Sequence, residues 1–246
     1  MRVSKTPEEG SIPSTPAIKT SLVFFCFEKE NQVWYHIAME IKRVEGDILQ
    51  SNVFVVSEGG KCILIDAGAP IERVMPYVDE KSVEAIFLTH GHYDHIYYLN
   101  KYVDKFRCEV YASEKITDYL YDKNHNASYD CPYPPIELEE IKFLQLLSGD
   151  GVVDIAGFKV EFFQLGGHSS SDMMFQLGDD LFVGDEVIGR DVGRTDLWGG
   201  DKQMMLASLQ KILQKDYQIM HCGHGQYFDK KTQDKVVKLW HKFLSR

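Results

Sequence analysis

With 37 acidic and 27 basic side chains among 246 residues, the chain carries a net charge of -10 and is long enough for one large α/β domain with a sizeable core. It has no run of five Lys or Arg, which excludes the clustered positive charge that a nucleic-acid backbone demands. Cys26, Cys62, Cys108, Cys131 and Cys222 are odd in number and scattered without a C-x-x-C spacing, so a reduced, cytoplasmic protein is expected rather than a secreted disulfide framework.

Residues 1–20 are rich in Pro, Ser and charge and carry no periodicity, which predicts a mobile tail. Residues 21–38 suit a strand pair or an extension outside the core, and Met39 is compatible with a native start. The expected organisation is therefore an N-terminal extension over 1–38 and one domain over 39–246. The apolar run Leu22 to Phe27 is far shorter than the roughly 20 residues of a membrane span, so no membrane association is expected.

From Met39 onward, short runs rich in Val, Ile and Phe recur between Gly, Asp and Ser. They predict strands at 52–57, 61–66, 85–89, 109–112, 158–165, 173–177, 181–184 and 217–222. Met205, Leu209, Ile212 and Leu213 repeat at helical spacing, as do Val236, Trp240, Phe243 and Leu244, predicting two amphipathic helices over a sheet. Residues 122–136 hold three prolines in a long polar loop, a length that more often marks function than plain connection. Strands come in groups with helices interspersed and no regular βαβ rhythm. That pattern argues for sheets covered by helices.

The chemistry concentrates after the strand at 85–89, in THGHYDH (89–95). Gly91 permits a tight turn. His90 and His92 can converge on one point if the loop is extended, while Asp94 and His95 turn toward a second point where a helix begins. Imidazole nitrogen and carboxylate oxygen suit zinc, and also iron or manganese. Further donors follow apolar runs downstream, each just after glycine: His168, Asp185 and His224.

These segments resemble the signature elements of the metallo-β-lactamase superfamily. THGHYDH is similar to its metal loop, GGHSSSD (166–172) to its third histidine, FVGDE (182–186) to its bridging aspartate, HCGHG (221–225) to its last histidine, and LIDAGAP (64–70) to its early Asp-x-Gly element. The resemblance covers Gly46 to the C-terminus. It implies an α/β fold, an αββα sandwich of two mixed β-sheets flanked by helices. It also implies two divalent metal ions, zinc first, with iron or manganese as alternatives. His90, His92 and His168 would hold one ion, Asp94, His95 and His224 the other, with Asp185 bridging and Asp66 orienting a ligand histidine. Two ions about 3.5 to 4 Å apart can share a water and bring its pKa toward about 7, so a metal-held hydroxide is the expected nucleophile, with Asp94 and Asp185 as the carboxylates of the reaction centre.

The segment 189–213 resembles the G-R-T-D and G-G-D elements of glyoxalase II-like members, which hydrolyse thioesters such as S-lactoylglutathione. A hydroxyacylglutathione-type thioester or another small-molecule ester is therefore the expected substrate. Arg194 is a candidate for substrate carboxylate binding, with a salt bridge to Asp196 as its alternative. Tyr97 and Tyr98, standing where the family favours small residues, are candidates for substrate contact or for the core. Only 22 residues follow His224, too few for the helical glutathione-binding domain of glyoxalase II. The competing readings are a persulfide dioxygenase with a single iron and a non-catalytic binding protein on the same fold. Cys222 is expected to be a small buried hydrophobe, His221 to face away from the site, and His125, Tyr129 and Tyr133 to be exposed or self-packed.

Overall fold

The computed structural model describes residues 28–29, 32–33, 39–129 and 131–245, so the expected mobile tail over 1–20 lies outside the described residues. A two-residue ladder pairs β1 (Glu28–Lys29) with β2 (Gln32–Val33). The first large sheet runs in the order β3 (Glu40–Glu45), β4 (Asn52–Glu58), β5 (Lys61–Ile65), β6 (Val83–Phe87), β7 (Glu109–Ser113), β8 (Leu144–Leu147). Its first three strands are antiparallel and its last four run parallel. The second contains β9 (Gly151–Ile155), β10 (Phe158–Gln164), β11 (Met173–Leu177) and β12 (Asp180–Phe182) as an antiparallel meander. A hairpin of β13 (Val187–Ile188) and β14 (Asp191–Val192) stands apart. β15 (Ile219–His221) joins β12 in parallel, and β16 (Phe228–Asp229) closes that edge.

Strand alternation builds the layers. Val53 and Val55 of β4 face one core and Phe54 and Val56 the other, as a period of two requires. The central core lies between the sheets and includes Phe87, Phe175 and Phe182. Outside the first sheet lie α1 (Ile71–Val74), α2 (Tyr93–Ile96), α3 (Leu99–Phe106) and α4 (Thr117–Leu120). α3 seats Leu99, Tyr102 and Phe106 in that outer core. Outside the second sheet, α5 (Lys202–Leu213) buries Met205, Leu209 and Ile212. Asp201 caps it by accepting from the amides of Gln203 and Met204, a contribution of about 1 kcal/mol. α6 (Lys230–Leu244) packs beside it. The protein is thus an αββα sandwich.

α6 is rotated from the expected face. Gln233 and Val237 are buried, with Trp240 and Leu244 packed against the core, while Phe243 is 59% exposed. The buried row follows i, i+4, i+7, i+11, and Phe243 falls off it.

Two features position the site. The parallel register matches Phe182 with His221, so the chain three residues beyond each strand end presents Asp185 and His224 side by side. Across the sandwich, the amide of Met173 donates to the Thr89 carbonyl at 2.7 Å and the amide of Asn52 to the Gly223 carbonyl at 2.7 Å, stitching both sheets together around the same edge.

Candidate metal centre

All seven donors singled out in the sequence converge at that edge. His90, His92 and His168 bring ligand atoms within 4.8 Å of one another, Asp94, His95 and His224 do the same, and His90, His95 and Asp185 join the two sets. Nδ1 of His92 lies 2.7 Å from Nε2 of His168. Asp185 spans both halves, with one oxygen 3.3 Å from His95 Nε2 and the other 3.2 Å from His224 Nε2 and 3.7 Å from His168 Nε2.

The rings are aimed by what holds their other nitrogen. The Thr89 hydroxyl donates to Asp66 at 2.8 Å, which leaves its oxygen to accept from His90 Nδ1 at 3.1 Å. His95 Nδ1 donates to Asp66 Oδ2 at 2.9 Å, His168 Nδ1 to the Arg194 carbonyl at 2.9 Å, and His224 Nδ1 to the Leu49 carbonyl at 3.0 Å. Four imidazoles therefore present Nε2 to one point. His92 presents Nδ1. The buried His90 Nε2, His92 Nε2 and Asp185 Oδ1 make no hydrogen bond within the protein, and a buried polar atom left unmatched costs about 1 to 3 kcal/mol. Nitrogen and oxygen donors arranged in this way fit a pair of divalent cations.

Local backbone is distorted to achieve this. Asp66 sits at φ 63° with its carboxylate accepting the Thr89 amide at 2.7 Å. Leu49 and Gln50 occupy φ 48° and 59°, each costing roughly 1 to 2 kcal/mol for a residue with a Cβ, and that turn delivers the carbonyl holding His224. Gly223 is dictated by space, since a Cβ there would stand 2.0 Å from Asp185 Oδ1 and 2.7 Å from His95 Cε1. The serines of GGHSSSD act as a brace. Ser169 donates through its amide and hydroxyl to Asp172 at 2.7 and 2.6 Å, and Ser171 Oγ accepts the Gly91 amide at 3.1 Å, tying the His168 loop to the His90–His92 loop.

Burial pushes His90 well below the usual histidine value and His92 down to about 3, so both are neutral at pH 7. His95 and His224 behave oppositely. Burial pulls each down, but Asp185 and Asp94, with Asp66 at His95, raise His95 well above its usual value and His224 to about 10. Burial likewise opposes ionisation of Asp94 and Asp185, yet His95 and His224 hold both below the usual carboxylate value.

A cavity of about 650 Å³ opens over the cluster. The long polar loop contributes Asn124, Ala127, Cys131 and Pro132 to its wall, and Leu49, Tyr93, Ile188, Leu197 and Trp198 add apolar surface. These wall residues escaped the sequence reading because none is a chemistry-bearing type at a telling spacing. Arg194 reaches the cavity, but its Nε and Nη2 donate to the two oxygens of Asp196 at 2.7 Å each, the salt bridge anticipated as its alternative. Tyr97 and Tyr98 do not line the cavity. Both pack on the outer core of the first sheet, and Tyr98 donates to Asp47 at 2.9 Å. They follow His95 by two and three residues, and the helical rotation carries them off the cavity face.

Cys222 is buried in the outer core of the second sheet beside Gln233, and His221 is stacked on Phe182 with Nε2 against Asp180 at 2.7 Å. Tyr129 is exposed and Tyr133 packs on the outer core. His125 stacks on Trp198 at 3.5 Å with planes 10° apart, at the rim. A further buried acid, Glu186, went unread. Burial, then the charge of Asp172, push it well above the usual carboxylate value.

The sandwich and its edge of seven donors define a metal-binding protein of the metallo-hydrolase kind. Residues 46–224 match the metallo-beta-lactamase superfamily, and the chain belongs to it. It is 30% identical over 201 residues to a probable metallo-hydrolase, YqgX, of Bacillus subtilis, covering 79% of this chain and 94% of that one. It is 27% identical over 198 residues to the hydroxyacylglutathione hydrolase GloC of Haemophilus influenzae, covering 77% and 92%. Among solved structures, the B3 metallo-beta-lactamase BLEG-1 superposes with a TM-score of 0.74 at 28% identity, covering 79% and 96%. No described helix is long and apolar enough to cross a membrane.

Proposed function

We propose that this protein is a two-metal hydrolase of small-molecule thioesters or esters, hydroxyacyl thioesters first among them. The observation that carries the reading is the aiming of four imidazoles. Each of His90, His95, His168 and His224 has Nδ1 tied to an acceptor and Nε2 turned inward, beside Asp94 and Asp185 at the floor of an open cavity.

When bound, a pair of divalent cations supplies a hydroxide nucleophile at neutral pH and a Lewis acid for the carbonyl. The protein's own residues fix where that chemistry occurs. His90, His92 and His168 would hold one cation, Asp94, His95 and His224 the second, with Asp185 shared. Asp66 fixes the His95 ring directly and the His90 ring through Thr89, so the donors need no reorganisation on binding. The apolar wall excludes water from the acyl group and orients it over the floor. Zinc fits this set best, and iron or manganese share its preference for nitrogen and oxygen.

The likeness to GloC supports thioester chemistry, and the complete Asp94–His95–His224 half argues against a single-iron oxygenase and against a binding protein without catalysis. The test is metal analysis followed by thioester, lactone, β-lactam and phosphodiester substrates. Two metals per chain with thioester or ester turnover are expected. One iron with oxygen uptake on glutathione persulfide would replace this reading.

A further inference from the structure

We infer that the cavity takes a thioester or ester whose leaving group is uncharged and apolar, and that the Arg194–Asp196 pair discriminates against anionic leaving groups such as glutathione. This rests on the hydrolase reading above and concerns the part of the substrate that the metals do not touch.

Three observations converge on it. Part of the cavity wall is apolar. Trp198 is 42% exposed yet held flat against His125 and edge-on to Tyr119 at 5.0 Å, and Leu49 is 56% exposed on its constrained turn. Large apolar groups held open to solvent at a cavity rim are a surface prepared for an apolar ligand.

The second observation is charge. Among the described residues lining the cavity, Arg194 is the sole Lys or Arg, and its Nε and Nη2 already donate to the two carboxylate oxygens of Asp196, which offsets its charge. The nearest cation on the long loop, Lys123 beside the lining Asn124, is matched by Glu137 at 2.7 Å. An exposed ion pair of this kind is weak, so it works by cancelling charge rather than by rigidity. A carboxylate on the leaving group would meet the charge of Asp196 beside that of Arg194 and gain little net attraction. A neutral group meets no such opposition. The third is the field of the whole chain, which at a net charge of -10 repels anions in solution.

The reaction balances without further reactants. The oxygen of water bonds to the acyl carbon, the C–S bond breaks, and the departing thiolate takes up a proton and leaves as a neutral thiol.

The test compares lactoyl thioesters of 3-mercaptopropionamide and 3-mercaptopropionate, which match in size and differ by one charge, on the metal-loaded protein at low ionic strength. The expected result is a kcat/KM at least about tenfold higher for the amide. S-lactoylglutathione is expected to be a poorer substrate than the thioester of N-acetylcysteamine. Asp196→Ala, an exposed substitution that leaves Arg194 free, is expected to bring the amide-to-carboxylate ratio toward one, mainly through a lower KM for the carboxylate. A wild-type preference for the carboxylate or for glutathione, or an unchanged ratio in Asp196→Ala, overturns this inference while leaving the hydrolase reading intact. Absence of turnover on every thioester and ester would overturn both.

Discussion

The two halves of the donor cluster sit on the same sheet edge but are built from different chemistry. The half made by His90, His92 and His168 is all imidazole, and burial keeps His90 and His92 uncharged at pH 7. The half made by Asp94, His95 and His224 sets imidazoles against carboxylates, and without a cation His95 and His224 hold their protons. A metal entering the first half finds lone pairs already available at His90 and His92. One entering the second must expel protons, so the halves are expected to load in order. Asp185 lies between the two halves, so the second cation's affinity is expected to depend on the first.

The largest effect is expected where the halves meet. Asp185→Ala should bring hydrolysis to background and lower the metal content while leaving a folded protein, checked by circular dichroism beside metal analysis. Retained activity would dissolve the shared site. His224→Ala separates the halves: one metal is expected to remain, with hydrolysis lost, whereas His92→Ala should deplete the half that loads first. Asp66→Asn removes an acceptor charge that aims His95 directly and His90 through Thr89, and metal affinity is expected to fall by about 10- to 100-fold, measured by competition with a chelator.

A smaller effect is set by pH. Loading the second half should release protons, with affinity rising from pH 6 to 8, while affinity at the first half changes less; titration calorimetry in buffers of different ionisation enthalpy reads this directly. The same protons stabilise the metal-free fold. His224 is raised in the fold from 6.5 to about 10. Its contribution is therefore complete below about pH 6.5 and lost as pH climbs through about 10. Thermal melts of the metal-free protein should show that decline, and melts of the loaded protein should not.

The metal donors were legible in the sequence because their chemistry is discrete: a histidine after glycine at a strand end cannot easily be mistaken for packing. Val53 through Val56 and Met173 through Leu177 were legible too, since a buried strand needs an unbroken run of β-branched, aromatic and aliphatic residues. β8 and β9 were missed because each lies at a sheet edge: β8 has four residues with Gln145 and Leu146 both exposed, and β9 alternates between exposed and half-buried residues. α1, α2 and α4 have four residues each, too few to show a helical period. The apolar part of the cavity wall was not legible, because Leu49, Tyr93, Ala127, Ile188, Leu197 and Trp198 come from separate stretches of chain and none is marked by its own type. For Tyr97 and Tyr98 the sequence left substrate contact and the core open, and the helical rotation after His95 sets both against the outer core.

A titration of metal-free protein with zinc, following thioester hydrolysis and bound metal together, tests two-metal hydrolysis most directly. Two equivalents should bind, with activity appearing between the first and the second. Full activity at one equivalent, or saturation at one, would contradict it.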